Sequence, residues 1–386
     1  MAKITTTLFG ELAILPFQAE APVVETLEFL TDVLTSFNGN EQRLQMRTMP
    51  RQSFEYTVPL QIWQAAKAFN TEYRAIRKRW AVPVWTEAQY VGEVTAHAAT
   101  IACNTTLYDL RANSLAFLYV GPDNWQIVEI STKTGSLINV SNDLAYMNGA
   151  WLMPARLGWV ADKIDKPTSG YAGKSSIKFE IDDNLEITPA APAQYSGNDI
   201  YYDASLLSGD NLARALQSRV DIVDYELGKV VRRSPWTNAR YGSPFRSILN
   251  GPAEIKTYRD FLYRRAGKFR AFWFPTFESN LRVVDTGSIT NFLTIENDNF
   301  LDYDIRTNIA IQSTAGVWYP RVISSPVQIA GNRIQLTLSS PLNINAADIA
   351  RVSYLGLNRF DTDRIELRYI GNGIVESEVT VLEITP

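Results

Sequence analysis

The stretch YDLRAN at residues 108–113 recurs as YDIRTN at residues 303–308. Four of the six letters are identical, and Ile305 replaces Leu110. Successive side chains of an extended strand point to opposite faces. We therefore predict a strand in each copy, whose polar stripe consists of Asp109, Arg111, Asn113, Asp304, Arg306 and Asn308.

Two interpretations of this stripe stay open. The first is local structural work in a half-exposed strand, where an exposed Asp-Arg pair contributes only about 0 to 1 kcal/mol. The second is a contact between repeats or between subunits. The stripe is the set of functional residues that we predict, and neither a catalytic nor a ligand-binding role is assigned to it.

The flanks of the hexapeptide repeat as well. A helical pattern ending in an aromatic, proline-containing strand occupies 65–85, and a second occupies 251–275. In the first copy, apolar residues recur at helical spacings of three and four at Ile62, Ala66, Phe69, Tyr73 and Ile76. In the second copy, the predicted buried face consists of Ile255, Tyr258, Phe261 and Leu262, and Gly267 is expected to end the helix. The first copy lacks this glycine, so its helix must end differently.

The same order continues downstream of the hexapeptides. Alternating apolar and polar strands with glycine-containing turns, an Ala-Arg strand and a closing strand follow in both halves. The matching ranges are 125–144 with 318–342, 154–164 with 349–360, and 175–181 with 377–384. This repeated order predicts a tandem duplication.

Composition limits the possible functions. At 386 residues the chain exceeds the usual size of one hydrophobic core, so two or more domains are expected. The net charge of -4 and the pI of about 5.4 argue against a protein that mainly binds nucleic acid, because phosphate neutralisation needs a basic surface. The N-terminus lacks a secretory pattern and no apolar run has membrane-spanning length, so we expect a soluble intracellular protein without stable membrane anchoring.

Catalytic and metal-binding patterns are weak. Cys103 and His97 are the single cysteine and the single histidine, which leaves little support for transition-metal sites and histidine-dependent triads. The phosphate-binding and nucleophile motifs are also missing from the sequence. We therefore predict no catalytic residue, no metal and no cofactor. Asp361 and Asp363 are the least poor candidates for a carboxylate pair.

Two segments carry a resemblance to a known family. They are EQRLQMRTMPRQSFEY at 41–56 and YRDFLYRRAGKFRAFWFP at 258–275. A Glu-x-Arg and Pro-Arg strand, followed by a helix and an aromatic strand, resembles the distal tail and tail-hub (baseplate) proteins of long-tailed bacteriophages and gene transfer agents. The similarity covers most of each half.

The resemblance implies a fold and its boundaries. Proteins of this family carry a tube-like β-sandwich with one helix, often with a small β-domain inserted. The implied class is mainly β with a few helices (α+β), in which two tandem tube-like units each hold one packed helix and a small inserted β-domain. The implied ranges are an N-terminal arm at 1–24; a first repeat at 25–187, with its tube-like unit at 25–95 and 155–187 and its small β-domain at 96–154; a linker at 188–199; and a second repeat at 200–386, with its tube-like unit at 200–285 and 350–386 and its small β-domain at 286–349.

The resemblance also implies a non-enzymatic role in the virion tail, after assembly in the host bacterial cytoplasm. The expected partners are further copies in a ring, the tail tube protein, and tip, hub or fibre proteins, while DNA passes through the lumen without specific binding. Because tandem units let three chains present six similar sectors, a trimeric ring with pseudo-sixfold symmetry is preferred over a hexamer. The alternatives are a carbohydrate- or receptor-binding tail module using tryptophans such as Trp125 and Trp318, and a cell-wall glycan hydrolase.

Overall fold

The computed structural model describes residues 3–169, 172–183, 189–202, 215–236, 239–301, 306–371 and 373–384. Of these described residues, 54% lie in strands and 10% in helices, so the chain is mainly β. The predicted mainly β class with few helices is therefore confirmed. Within these residues, 23 strands join one continuous sheet system.

The first half begins with strands and holds one α-helix. Its elements are β1 Lys3–Thr6, β2 Gly10–Ala13, β3 Glu20–Glu28, β4 Thr31–Thr35, β5 Glu41–Gln45, β6 Arg51–Leu60, α1 Ile62–Ala75, β7 Trp80–Pro83, β8 Gln89–Val94, β9 Thr100–Ala102, β10 Ser114–Gly121, β11 Asn124–Lys133, β12 Leu137–Val140, β13 Met147–Asp165, β14 Thr168–Ser169 and β15 Ala172–Ile181.

The second half holds the other α-helix at the corresponding place. Its elements are β16 Gln194–Tyr195, β17 Asn198–Asp199, β18 Ala215–Gln217, β19 Asp221–Val223, β20 Val231–Arg233, β21 Arg240–Asn250, α2 Pro252–Arg265, β22 Phe272–Pro275, β23 Ser288–Ile289, β24 Phe292–Glu296, β25 Asn308–Ser313, β26 Trp318–Ile329, β27 Arg333–Leu338, β28 Ile344–Asn345, β29 Ile349–Phe360, β30 Arg364–Gly371 and β31 Ile374–Glu383.

Strand pairing is repeated between the halves. In the first, β13 pairs with β7, β10 and β15, and β15 also pairs with β6. In the second, β29 pairs with β22, β25 and β31, and β31 also pairs with β21. Both halves therefore use one topology, in the order that the duplication predicts.

The spacing between equivalent residues is not constant. Pro83 ends β7 and faces Ala155, whereas Pro275, which ends β22, faces Leu355. The Ala-Arg pair at Ala155 is thus not equivalent to the one at Ala350. The sequence repeat preserves element order and pairing, while loop lengths shift the register.

Three hydrophobic clusters account for most of the interior. The largest contains buried residues of both halves, including Leu27, Phe54, Phe261 and Phe272. Separate clusters lie between Val94 and Leu152 and between Leu281 and Val352. These two clusters overlap the predicted ranges 96–154 and 286–349 without sharing their bounds, and a further cluster joins Phe117 and Met153 of the first range to Leu12 and Leu157 outside it.

The two helices end by different chemistry. After α2, Ala266 and Gly267 both take the left-handed conformation, with φ of 50° and 66°, which glycine adopts without strain. After α1, Ile76 stays in the right-handed helical region. There the indole N–H of Trp80 donates to the carbonyl of Ala75 at 3.0 Å. The backbone N–H of Lys78 donates to the same carbonyl at 2.8 Å, so an aromatic side chain and the chain after α1 together satisfy this helix end without a glycine.

The predicted strand at 108–113 is wrong. These residues form turns and irregular backbone, Asn113 has a φ of 52°, and β10 begins only at Ser114. In the second copy Asp304 lies outside the described residues, and Asn308 is the first residue of β25. Local ion pairs and a positive φ override the strand pattern of the letters.

The predicted arm and linker belong to the folded body. β1 pairs with β2, and β3 pairs with both β6 and β30. In the predicted linker, β16 and β17 form a hairpin. The carboxylate of Asp199 accepts from Arg264 at 2.7 and 2.8 Å and also pairs with Arg265. This side chain therefore fastens the segment between the repeats to the end of α2.

Candidate assembly interface

The two halves meet at a continuous strand junction, which we call the internal junction. β3 of the first half lies antiparallel to β30 of the second, with Leu27 opposite Ile365. The two side chains are 0% and 1% exposed. β3 also pairs with β6 of its own half, so one hydrogen-bonded sheet continues from the first half into the second.

A buried ion network lies beside this strand pair. Arg259 of α2 donates to Glu25 of β3 at 2.8 Å, to Glu87 at 2.5 Å and to the hydroxyl of Tyr369 at 2.8 Å. Burial lowers the pKa of the Arg259 guanidinium, but the charges of Glu25 and Glu87 outweigh this effect and raise that pKa above its ordinary value. Arg259 thus stays charged and connects the second helix to the first half.

The first-copy stripe residues Asp109 and Arg111 adjoin this network. The Asp109 carboxylate accepts from Arg111 at 2.6 and 2.9 Å and pairs with Arg156 at 2.5 Å. Its backbone N–H donates to Glu87 at 2.6 Å. Burial raises the pKa of Asp109, but Arg156 and Arg111 dominate and hold it well below its ordinary value. The Asp-Arg pair exists as expected from the letters, but it lies in a partly buried loop and is joined by a second arginine.

The second-copy residues make different contacts. Arg306 donates to Glu383 at 2.6 and 2.8 Å. The side-chain oxygen of Asn308 accepts from the hydroxyl of Tyr195 at 3.0 Å. Asn113 is exposed on its turn. The described stripe residues are therefore not brought together as one surface.

A second charged contact of the internal junction binds the β4–β5 hairpin. Glu41 accepts from Arg240 of β21 at 2.8 Å and from Arg359 of β29 at 2.8 and 3.1 Å. Burial raises the pKa of the Glu41 carboxyl, but the two arginines lower it further, so it lies below its ordinary value. Arg240 also donates to the carbonyl of Gly39 at the hairpin tip. The hairpin of the first half is thereby fixed on the second half.

A gapless similarity relates this hairpin to one in the second half, and the predicted repeat did not include it. Residues 27–60 align with residues 216–249. The strands keep one register, since Val33 faces Arg43 and Ile222 faces Arg232. The identical described pairs are Leu27 and Leu216, Asp32 and Asp221, Gly39 and Gly228, Arg43 and Arg232, Arg51 and Arg240, and Leu60 and Leu249.

The two helices bury equivalent residues on their sheet side. Aligned on their first residues, the buried Ala68, Thr71, Glu72 and Ala75 of α1 match buried residues of α2, namely Tyr258, Phe261, Leu262 and Arg265. The predicted buried face of α2 is confirmed at Ile255, Tyr258, Phe261 and Leu262. Three of these α1 residues, Ala68, Thr71 and Ala75, are smaller than their counterparts in α2.

The outer face of α1 is apolar and exposed, which the helical spacing alone does not reveal. We call Ile62, Ala66, Phe69, Tyr73 and Ile76 the α1 stripe; all five are exposed. Phe69 is 52% and Tyr73 76% exposed, and their rings stack with centroids 5.9 Å apart. Arg259 and Tyr263 occupy the corresponding positions of α2, where the first half covers them.

The β18 to β20 region is a second exposed apolar surface. Leu216 is 71% and Leu227 93% exposed, although Leu27, the counterpart of Leu216, is fully buried. Further exposed apolar side chains on this region are those of Val220, Ile222, Val223, Tyr225, Val230 and Val231. Contiguous exposed apolar side chains of this kind are typical of protein interaction sites.

The residues of the alternative functions have structural partners. Asp363 accepts from the backbone N–H groups of Thr31 at 2.8 Å and Lys268 at 2.9 Å. Trp125 packs against Phe117, and the ring of Trp318 stacks on Tyr202 with centroids 5.2 Å apart. Asp361 is a partner of Arg359. The geometry therefore gives each of them a role in folding.

A cavity of about 350 Å³ opens between β8, β13 and the start of α2. Tyr90 and Trp151 lie at its wall, with ring centroids 5.4 Å apart, and are 63% and 40% exposed. Gln89, Asn250 and Lys256 supply polar groups to the lining. The cavity therefore combines an exposed aromatic pair with hydrogen-bonding side chains.

No protein-family model and no characterised protein matches the chain in sequence comparisons. Within the residues that the structure describes, neither helix is long and apolar enough to cross a membrane.

Proposed function

We propose that the chain is a structural component of a long-tailed bacteriophage tail tip or baseplate, where it forms a ring between the end of the tail tube and the tip or receptor-binding apparatus. The internal junction carries this proposal. Two copies of one topology share a sheet, and the face that the junction covers on α2 is exposed and apolar on α1. The face of α2 is covered inside the chain, whereas the equivalent face of α1 is exposed. The exposed face is therefore available for the same contact with another copy of the chain.

The ring contains three chains and presents six similar sectors to the tube. Its other partners are the tail tube protein and the tip, hub or fibre proteins, and the chain resides in the virion tail after assembly in the host bacterial cytoplasm. DNA passes through the lumen without specific binding. The formal net charge of -4 is compatible with this passage, because an acidic or neutral wall does not attract phosphate.

Electron microscopy of the purified chain tests this function. Class averages at high protein concentration count the lobes of each particle, and mass photometry gives the number of chains. Six lobes from three chains are expected. Six whole chains in one ring would refute the trimer, and monomers at every concentration, also in the presence of tail tube protein, would refute the ring function.

A second candidate function is carbohydrate binding at the cavity beside α2. The exposed pair of Tyr90 and Trp151 favours it, because aromatic faces stack on sugar rings while neighbouring polar groups fix orientation. Glycan-array binding that is lost in Trp151→Ala, and kept in the matched Trp159→Ala variant at another exposed tryptophan, would support this function. Equal binding by both variants would exclude the cavity.

A further inference from the structure

We propose that the β18 to β20 region of one copy packs over α1 of the next copy, and that this contact repeats the internal junction with Leu216 opposite the next copy's Ile164. The proposal rests on the proposed ring function and names the surfaces that form the ring. It commits to a second copy of this chain as the occupant of both exposed apolar surfaces.

Strand register specifies the contact. In the internal junction Leu27 of β3 faces Ile365 of β30. Leu216 of β18 is the counterpart of Leu27, because both occupy the same position in the aligned β3–β6 and β18–β21 pairs. Ile164 faces Ile177 of β15. Arg368 faces Glu376 of β31, and continuing this antiparallel register places Ile365 opposite Val379, the counterpart of Ile177. Ile164 is therefore the counterpart of Ile365. Leucine thus occupies both β-strand positions, at Leu27 and Leu216, and isoleucine occupies both partner positions, at Ile365 and Ile164.

Both edges are open for this pairing. β18 pairs with β21 on one side, and no described strand pairs with its other side. Ile164 and Asp165 pair with β15 on one side, and among the described residues their other edge also has no partner strand. An exposed edge with unpaired backbone groups is a template for another strand.

The hairpin contact can be repeated with identical groups. Inside the chain, Arg240 donates to the carbonyl of Gly39. Their counterparts, Arg51 and Gly228, are the same residue types, and both are exposed. When β18 of one copy adds to the next copy, Arg51 of the latter meets Gly228 of the former. A polar contact between the same residue types therefore accompanies the strand pair.

Several charged residues of the internal junction have apolar counterparts in the other half of the chain. Arg259, which is ion-paired inside the chain, corresponds to Phe69 on α1. Glu41 corresponds to Val230, and Arg359 corresponds to Trp159, which is 43% exposed. A contact between copies that buries Phe69, Val230 and Trp159 has apolar side chains where the internal junction has buried ion pairs, and apolar burial drives it. This complementarity favours another copy over an unrelated partner.

Cysteine cross-linking tests the register. Opposed residues of antiparallel strands have Cα atoms about 4.5 to 5.5 Å apart, within the range that a disulfide spans. Leu216→Cys and Ile164→Cys are combined in the full chain and oxidised with oxidised glutathione at pH 8. Burial raises the pKa of the native Cys103 thiol to about 11, so it does not react there. Covalently closed trimers are expected, with at least tenfold more product than in Leu216→Cys alone.

The matched control shifts the register by one residue. Leu216→Cys with Lys163→Cys places the second thiol on the opposite face of the strand, so little product is expected. Equal cross-linking by both pairs would overturn the register. Wild-type rings in electron microscopy without cross-linking by the Ile164 pair would overturn this contact and leave the ring function intact. Absence of both rings and cross-links would overturn the two together, whereas open covalent chains would support the contact and refute ring closure.

Discussion

The paired substitutions Leu27→Ala and Leu216→Ala compare one residue type at one register position in two environments. Leu27 is fully buried between β6 and β30, whereas Leu216 is 71% exposed. Burial of a leucine side chain and the cavity left by its removal together account for about 2 to 5 kcal/mol. With no exposed area at Leu27, we expect Leu27→Ala to lower the free energy of unfolding by about 3 kcal/mol, roughly a hundredfold in the folding equilibrium.

Leu216→Ala removes mostly solvated surface, so its effect on the isolated chain is expected within about 0.5 kcal/mol. The assay is urea unfolding followed by tryptophan fluorescence, at a concentration where sedimentation shows monomers. Sedimentation at high concentration then measures assembly, which Leu216→Ala is expected to weaken. Equal losses of monomer stability in the two variants would refute the inferred difference in burial between the copies.

Three further substitutions test local features. Gly267→Ala is expected to lower the free energy of unfolding in urea by about 2 kcal/mol or more, because φ is 66° and an added Cβ would lie 2.2 Å from a carboxylate oxygen. The control is Gly331→Ala, where φ is 78° and no atom lies within 4 Å of such a Cβ. It should lower the free energy of unfolding by about 1 kcal/mol or less. Asp109→Asn leaves Arg156 buried with a weaker partner and should cost about 3 kcal/mol at pH 7. The pKa of Asp109 is lower in the folded chain than in the unfolded chain, so its charge stabilises the fold above the unfolded pKa of about 4. This stabilisation is lost as pH falls through the folded value, and the difference in urea midpoint between variant and wild type should therefore shrink below about pH 4. A constant difference would contradict the role of this charge. Trp80→Phe keeps an aromatic ring but removes the donor to the last carbonyl of α1, and a loss of about 1 kcal/mol in calorimetric stability is expected, whereas no loss would exclude indole capping.

The repeat and the mainly β class could be predicted because they are properties of order and periodicity along the chain. The buried face of α2 followed from Ile255, Tyr258, Phe261 and Leu262 for the same reason. The helical spacing of Ile62, Phe69 and Tyr73 indicated an apolar face equally well. It could not indicate that this face is exposed on α1, because the strand that covers the equivalent face of α2 comes from residues distant in sequence.

The hexapeptide at 108–113 shows a second reason why a sequence pattern can fail to predict local structure. Its alternating letters matched a strand, yet Asp109 is held by Arg156 and by a backbone bond to Glu87. Those partners are distant in sequence, and their strong charge-assisted bonds fix a loop. The hairpin similarity from Leu27 to Leu60 was present in the letters, but its few scattered identities gave no periodic signal.

The double pairing of β3 has a consequence during synthesis. Residues 23–28 cannot complete their sheet until residues 364–369 leave the ribosome, which at usual elongation rates takes roughly 20 to 70 seconds. During that time β3 has an unpaired strand edge, because its partner β30 is among the last parts of the chain to be synthesised. Nascent chains translated side by side can therefore exchange these strands before either has closed its own pair of β3 and β30.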